Sequence, residues 1–235
     1  MKRLLSALAL VALVSSGAYA ISDIAPDAVP GSGVVGDGDF PILFEIDLSI
    51  NDYCVGVGFD GMYFWVSAGD QMTGLCQFYI YDDAGNLLDT QAQGAGATGW
   101  GHRDMAWNGM YMFGSYSNMV DGFSDPATFA GFFIGPISPN RALAYDGAAF
   151  YTSGFGEYLW KLTWDGNFGT VAATENLGGP WDGAYGLAYD CSNGVLYMTT
   201  ADYTGNIHEL AMDGFLLNTY TTLPEYDIQG GCTMA

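Results

Sequence analysis

Positive charge is what this sequence has least of. Five Lys and Arg stand against 26 Asp and Glu in 235 residues, a formal net charge of −21. A chain without a basic stripe has nothing with which to neutralise phosphates, so nucleic acid is excluded as a partner. Nor is it drawn to an anionic membrane surface. Histidine is almost as scarce, at two residues, which leaves no His cluster for a transition metal. Beyond the N-terminus no window reaches the ~18 apolar residues of a transmembrane helix, so no membrane insertion is expected. Sustained helical periodicity is missing as well. So are the Gly-x-Ser-x-Gly elbow, His-Glu-x-x-His and the P-loop. What remains is 50% hydrophobic and 15% aromatic, with 34 glycines. That much apolar side chain offsets its ordering entropy, which excludes a disordered acidic tail.

Residues 1–20 have the make-up of a secretory signal peptide. Met1-Lys2-Arg3 is a short basic start, Leu4 to Val14 is apolar apart from Ser6, and Ala18-Tyr19-Ala20 is an Ala-x-Ala cleavage pattern. The apolar run is too short to span a bilayer of roughly 30 Å. No Cys follows the small residues, which argues against a lipoprotein. The expected location is therefore secreted or extracellular, with periplasm and cell surface included. Cleavage after Ala20 removes Lys2 and Arg3 and no acid, leaving 215 residues with three cations, 26 acids and a net charge of −23. Residues 21–39, rich in Gly, Pro and Asp, read as a flexible lead-in.

From residue 40 the chain repeats. A small residue, an aromatic and Asp or Asn precede an apolar-aromatic run four times. The copies are Gly58-Phe59-Asp60 before Tyr63-Phe64-Trp65-Val66, Ala106-Trp107-Asn108 before Tyr111-Met112-Phe113, Ala144-Tyr145-Asp146 before Phe150-Tyr151-Thr152, and Ala188-Tyr189-Asp190 before Val195-Leu196-Tyr197-Met198. A second pattern follows each pair, clearest in Tyr158-Leu159-Trp160-Lys161-Leu162-Thr163-Trp164-Asp165-Gly166 and echoed by Ile207 to Gly214 and Phe78 to Gly85. Asp-Gly and Asn-Gly turns supply the positive φ of tight hairpins. Four short strands per unit with a period near 44 predict an all-β fold, a β-propeller of four-stranded antiparallel blades. The units fall near 55–99, 100–140, 141–184 and 185–230, with the start of a fifth at 231–235. A β-sandwich with chance similarity between hairpins is the competing fold. In unit two, Thr128 to Ile137 lacks the Asp-Gly turn, which leaves that blade's outer strands in doubt. Leu43 to Leu48 reads as a third strand with none before it, and Gly231 to Ala235 as an opening with nothing after it. Both point to a fragment of a longer protein.

The fourth unit, with Gly186-Leu187-Ala188-Tyr189-Asp190, Gly194-Val195-Leu196-Tyr197-Met198-Thr199-Thr200 and Asp213-Gly214, resembles an NHL-type or YVTN-type propeller repeat. The resemblance covers about 195 residues, with units three and four matching best. It implies blades and no particular activity, since such repeats serve both sugar-lactone hydrolases and pure binding platforms. Lactone hydrolases of this kind hold calcium with acids near the central channel, so calcium is the one cofactor the resemblance implies.

Candidate residues follow from the blade scheme. Asp60, Asn108, Asp146, Asp165 and Asp213 fall in hairpin turns and read as turn chemistry. Cys54 and Cys76 fall at one rim and are expected to form a disulfide, while Cys191 lies at the opposite rim from Cys232. The long-loop rim gathers Asp70, Asp121, Arg141, Glu157 and Asp202, with the densest cluster at Trp100-Gly101-His102-Arg103-Asp104. There His102 is a candidate base with Asp104 its partner, and Trp100 a stacking surface for a sugar. Against this stands an exposed loop histidine beside an arginine paired with a neighbouring acid. Trp181 and Asp182 are a second place for a ligand to stack. His208 and Lys161 fall within strands and are expected to pack. The favoured reading is a secreted, non-enzymatic binding or structural module that meets a protein or carbohydrate ligand at this rim. The alternatives are a calcium-assisted hydrolase or lyase acting on lactones or glycans there, and a scaffolding fragment of a larger surface protein.

Overall fold

A computed structural model describes residues 53–69, 74–94, 97, 99–156, 158–170, 172–179, 183–200 and 206–221. Residues 1–20, expected to be a signal peptide, the lead-in, Leu43 to Leu48, Asp70, Glu157, Trp181, Asp182, Asp202 and the start of the fifth unit lie outside the described residues. The described residues form four antiparallel four-stranded sheets arranged as the blades of a β-propeller, with no helix among them. Blade one is β1 (Tyr53–Phe59), β2 (Phe64–Gly69), β3 (Cys76–Tyr81) and β4 (Leu87–Ala92). Blade two is β5 (Met105–Trp107), β6 (Met112–Tyr116), β7 (Met119–Asp125) and β8 (Thr128–Ile134). Blade three is β9 (Ala142–Tyr145), β10 (Phe150–Ser153), β11 (Leu159–Thr163) and β12 (Ala173–Gly178). Blade four is β13 (Ala184–Asp190), β14 (Val195–Thr200), β15 (Asn206–Leu210) and β16 (Leu216–Thr221).

The repeat seen in the sequence is a repeat of register. Gly58 faces Trp65, Ala106 faces Phe113, Ala144 faces Tyr151 and Ala188 faces Tyr197 across the first hairpin of each blade. The small residue is small because the next blade lies against it. A Cβ on Gly58 would sit 2.7 Å from Met112 Sδ and 2.9 Å from Met105 Cβ of blade two. Inner strands follow one another in space, β1 against β5, β5 against β9 and β9 against β13.

The core therefore lies between blades. Trp65, Phe78 and Ile80 of blade one meet Met105, Met112 and Phe123 of blade two. Phe113, Val120 and Phe133 meet Leu143, Phe150 and Leu162. Ala144, Tyr151 and Leu159 meet Leu187, Leu196 and Met198. β10 has a blade on each face, Phe150 meeting blade two and Tyr151 blade four. It is buried along its whole length, as are β2 and β14, without the alternation of a half-exposed strand. The fourth strands β4 and β12 face solvent for most of their length.

The turn residues act as expected. Asp60 Oδ1 accepts the N–H groups of Met62 and Tyr63, Asn108 Oδ1 those of Met110 and Tyr111, and Asp146 Oδ1 those of Ala148 and Ala149. Asp165 and Asp213 each accept an N–H two residues on. Blade two, whose outer strands were in doubt, is complete. Asp125 Oδ1 accepts the Ala127 N–H at 3.0 Å, so Asp-Pro turns the chain where Asp-Gly does elsewhere.

The expected Cys54–Cys76 bridge is not formed. Cys54 faces Ala68 and Cys76 faces Gly69, so the two stand on opposite sides of β2. Two strand spacings of about 4.8 Å each separate them, more than the ~7 Å between α-carbons that a disulfide can span. The Cys76 thiol donates instead to the Gly99 carbonyl at 3.6 Å.

Candidate functional site

The loops that enter the inner strands share one rim: Trp100 to Asp104 before β5, Asn140 and Arg141 before β9, and the start of β13. Counted back three residues from the repeat's small residue, Arg103, Arg141 and Tyr185 hold the same place in blades two, three and four. The backbone bears this out for the arginines. Arg103 N–H donates to Ser115 O at 2.9 Å and Arg141 N–H to Ser153 O at 2.8 Å, from matching positions of β6 and β10. Ser115 Oγ also donates to Arg141 O at 2.8 Å, tying blade two to the loop of blade three.

His102 is not an exposed loop residue. It has no solvent exposure and lies against Phe78, Phe123 and Tyr116, with ring centroids 5.6, 5.1 and 5.5 Å away. Room for it exists because Gly114 has no side chain, since a Cβ there would fall 2.7 Å from His102 Cδ2. Its partner is Asp121, at 2.8 Å from Nε2, and not Asp104. Nδ1 faces Gln93 Oε1 at 2.8 Å, and the same oxygen accepts the His102 backbone N–H at 3.0 Å. Gln93 Nε2 donates to Gln77 O and Ser67 Oγ, which fixes the amide's orientation. The ring is thus held on both sides, by Gln93 at Nδ1 and by Asp121 at Nε2. Asp121, expected at the rim, sits within β7 and is fully buried.

Asp104 is equally buried and serves as a hub. Its Oδ2 accepts N–H groups from Leu143 at 2.8 Å and Leu187 at 2.9 Å, and its Oδ1 accepts that of Met105. It joins the inner strands of three blades, which is a structural use of a carboxylate. Eleven places on, β6 returns to it through the Asp104 N–H to Ser115 Oγ bond.

The rim above these interior groups is formed differently. The Arg141 guanidinium lies 3.7 Å from the centre of the Phe155 ring and 4.2 Å from that of the Tyr185 ring, the two rings standing at 86° to one another. Arg103 lies 5.4 Å from the Trp100 ring. Desolvation, and then the positive charge of Arg141, hold the Arg103 guanidinium down to about 10. Desolvation lowers Arg141 too, while Tyr185 works in the opposite direction. Neither arginine has a carboxylate within ion-pair distance among the described residues.

The structure thus brings Trp100 and Arg103 to a common surface and turns His102 and Asp104 inward. Sequence reasoning placed Arg141 at this rim but did not single it out, and it passed over Gln93, Phe155 and Tyr185. The signal for Arg141 and Tyr185 was available in their shared offset from the small residue. His208 lies half-buried on β15 between the hydroxyls of Thr219 and Thr200. Lys161 lies on β11, 5.7 Å from the Tyr151 ring. No group of three or more His, Cys, Asp or Glu able to hold a metal occurs among the described residues.

No family model and no curated protein matches the chain by sequence. Among solved structures, glutaminyl cyclase of Myxococcus xanthus aligns with a TM-score of 0.56 at 16% identity, over 72% of this chain and 70% of that one. A chain of the mitotic checkpoint complex aligns with a TM-score of 0.45 at 19% identity, over 79% of this chain and 56% of that one. At 16% identity the likeness to the cyclase is one of fold.

Proposed function

We propose that this protein is an exported β-propeller that binds a small polar ligand, a carbohydrate foremost, at the rim carrying Trp100, Arg103, Arg141, Phe155 and Tyr185, and that it does so without catalysis. One observation carries the reading: acid–base groups and recognition groups are segregated. His102 and Asp121 have no solvent exposure and spend their ring nitrogens and an oxygen on each other and on Gln93, so neither is presented to a substrate. The groups at the rim are aromatic rings and guanidinium forks, with Phe155 exposed, Trp100, Arg103 and Tyr185 half-buried and Arg141 buried beneath them; such groups recognise and orient. The NHL-like or YVTN-like repeat pattern is in keeping with a platform of this kind, and the signal-like residues 1–20 with its export. No cofactor is part of this reading. Calcium belongs to the hydrolase alternative.

The test is a panel of mono- and disaccharides, read by thermal shift and then by calorimetry, on the wild type and on Trp100→Ala. At least one sugar should bind, weaken on the substitution and be recovered unchanged after prolonged incubation. A panel without a hit, or conversion of the bound sugar, would overturn the proposal. Heat on titrating millimolar calcium would favour the hydrolase alternative.

A further inference from the structure

Two of the three cations that outlast removal of the signal stand together. Arg103 and Arg141 occupy the same repeat position in neighbouring blades, close enough for the charge of one to act on the other. Arg103 is half-buried and Arg141 is buried. Arg141 is 5% exposed, and its Nε has no hydrogen-bond partner. Two like charges held side by side in poor solvent work against folding. The chain has 26 acids with which to neutralise them, yet none of the described ones is brought within ion-pair distance.

The surroundings dictate what the pair can take. The Phe155 and Tyr185 rings, at 86° to one another, both pack against the Arg141 guanidinium, and its Nε–H remains on the edge as a donor without a partner. A guanidinium edge presents parallel N–H groups matched to the two oxygens of a carboxylate. The stacking also fixes the fork in advance, so less side-chain freedom is lost on binding. The backbone beneath is fixed on both sides: Arg141 N–H is bonded to β10 and Arg141 O to Ser115 of β6. Trp100 beside Arg103 adds an apolar surface for the rest of the ligand.

We infer that Arg103 and Arg141 form an anion subsite, and that the ligand of this rim carries a carboxylate, as an acidic sugar does. The inference rests on the binding reading above and adds the charge of the ligand to it. The protein's own negative field repels anions at long range, but that field is screened within about 8 Å at physiological ionic strength. Selection therefore falls to the contact pair.

D-Glucuronate and D-glucose, equal in ring and unequal in charge, are titrated by calorimetry into the wild type, Arg103→Gln, Arg141→Gln and Lys161→Gln. The expected result is that glucuronate binds at least tenfold more tightly than glucose, weakens with added NaCl, and loses at least tenfold in affinity in either arginine variant but not in Lys161→Gln. Arg103 is only half-buried, so Arg103→Gln and the salt series keep the test open if Arg141→Gln does not fold. Glucose binding as well as glucuronate, with affinity unmoved by Arg103→Gln, would overturn the anion subsite and leave the binding reading standing. Binding of neither sugar would overturn the subsite, and the wider sugar panel would then decide the binding reading separately.

Discussion

Asp104 accepts the backbone N–H of Leu187, 83 residues further along the chain, at 2.9 Å, with the same oxygen that accepts the N–H of Leu143. A single buried carboxylate thereby holds the entries of β9 and β13 to its own blade. Asp104→Ala leaves three N–H groups without this acceptor, and unpaired buried donors cost about 1–3 kcal/mol each before relaxation. The substitution should lower the unfolding free energy by about 3–5 kcal/mol, measured by urea denaturation at neutral pH. A loss below about 0.5 kcal/mol, the range of an ordinary surface change, would show that the hub does not hold the blades.

The His102–Asp121 contact makes a sharper prediction. With Asp121→Asn, an amide replaces the carboxylate and can still hydrogen-bond to Nε2. With Asp121→Ala nothing faces Nε2. The asparagine variant should cost at most about 1.5 kcal/mol and the alanine variant about 3–5 kcal/mol. Equal losses in the two variants would contradict this account of the pair.

The turn acids carry a second bond that depends on the blade. Asp60 Oδ2 accepts from Trp65 Nε1 at 2.9 Å, and Asp146 Oδ2 accepts from the Tyr151 hydroxyl at 3.0 Å, at matching positions. In blade two the matching aromatic is Phe113, which has no donor, and there the turn residue is Asn108. Burial, then the charge of Asp146, push the Tyr151 phenol well up. Tyr151→Phe should cost about 1 kcal/mol, and a double-mutant cycle with Asp146→Asn should return most of it as coupling energy. A coupling near zero would remove the bond from the stability of blade three.

These cases show which parts of the molecule were legible in the sequence. Asp-Gly turns were readable because an Asx oxygen bonds its own backbone two or three residues on, a purely local device. The blade period was readable because every copy needs a small residue where the next blade presses. Blade two's outer hairpin was obscured because Asp125-Pro126 does the work of Asp-Gly. The burial of His102 was not readable: it depends on Asp121, 19 residues away on β7, and on the space above Gly114. The cysteines misled for a related reason. Sharing a rim says nothing of the strand standing between Cys54 and Cys76.

Asp190 tests the turns through pH. Burial pushes its carboxyl up, but hydrogen bonds from Ser192 and Asn193 together outweigh burial and hold it below the usual carboxylate range. Asp190 Oδ1 accepts from Ser192 N–H and Oγ, and Oδ2 from Asn193 Nδ2 at 2.7 Å. A carboxyl lowered by folding is ionised more readily in the folded chain than in the unfolded one. Its contribution is therefore complete above the unfolded value of about 3.9 and is lost as pH falls through the lower folded value. Asp190→Asn keeps an acceptor for Ser192 and gives up the charge. Its Tm should lie below the wild type's at pH 7, and the gap should close as pH falls from about 4 towards 2. A gap that stays constant over that window would mean the turn is held by geometry and owes nothing to the charge.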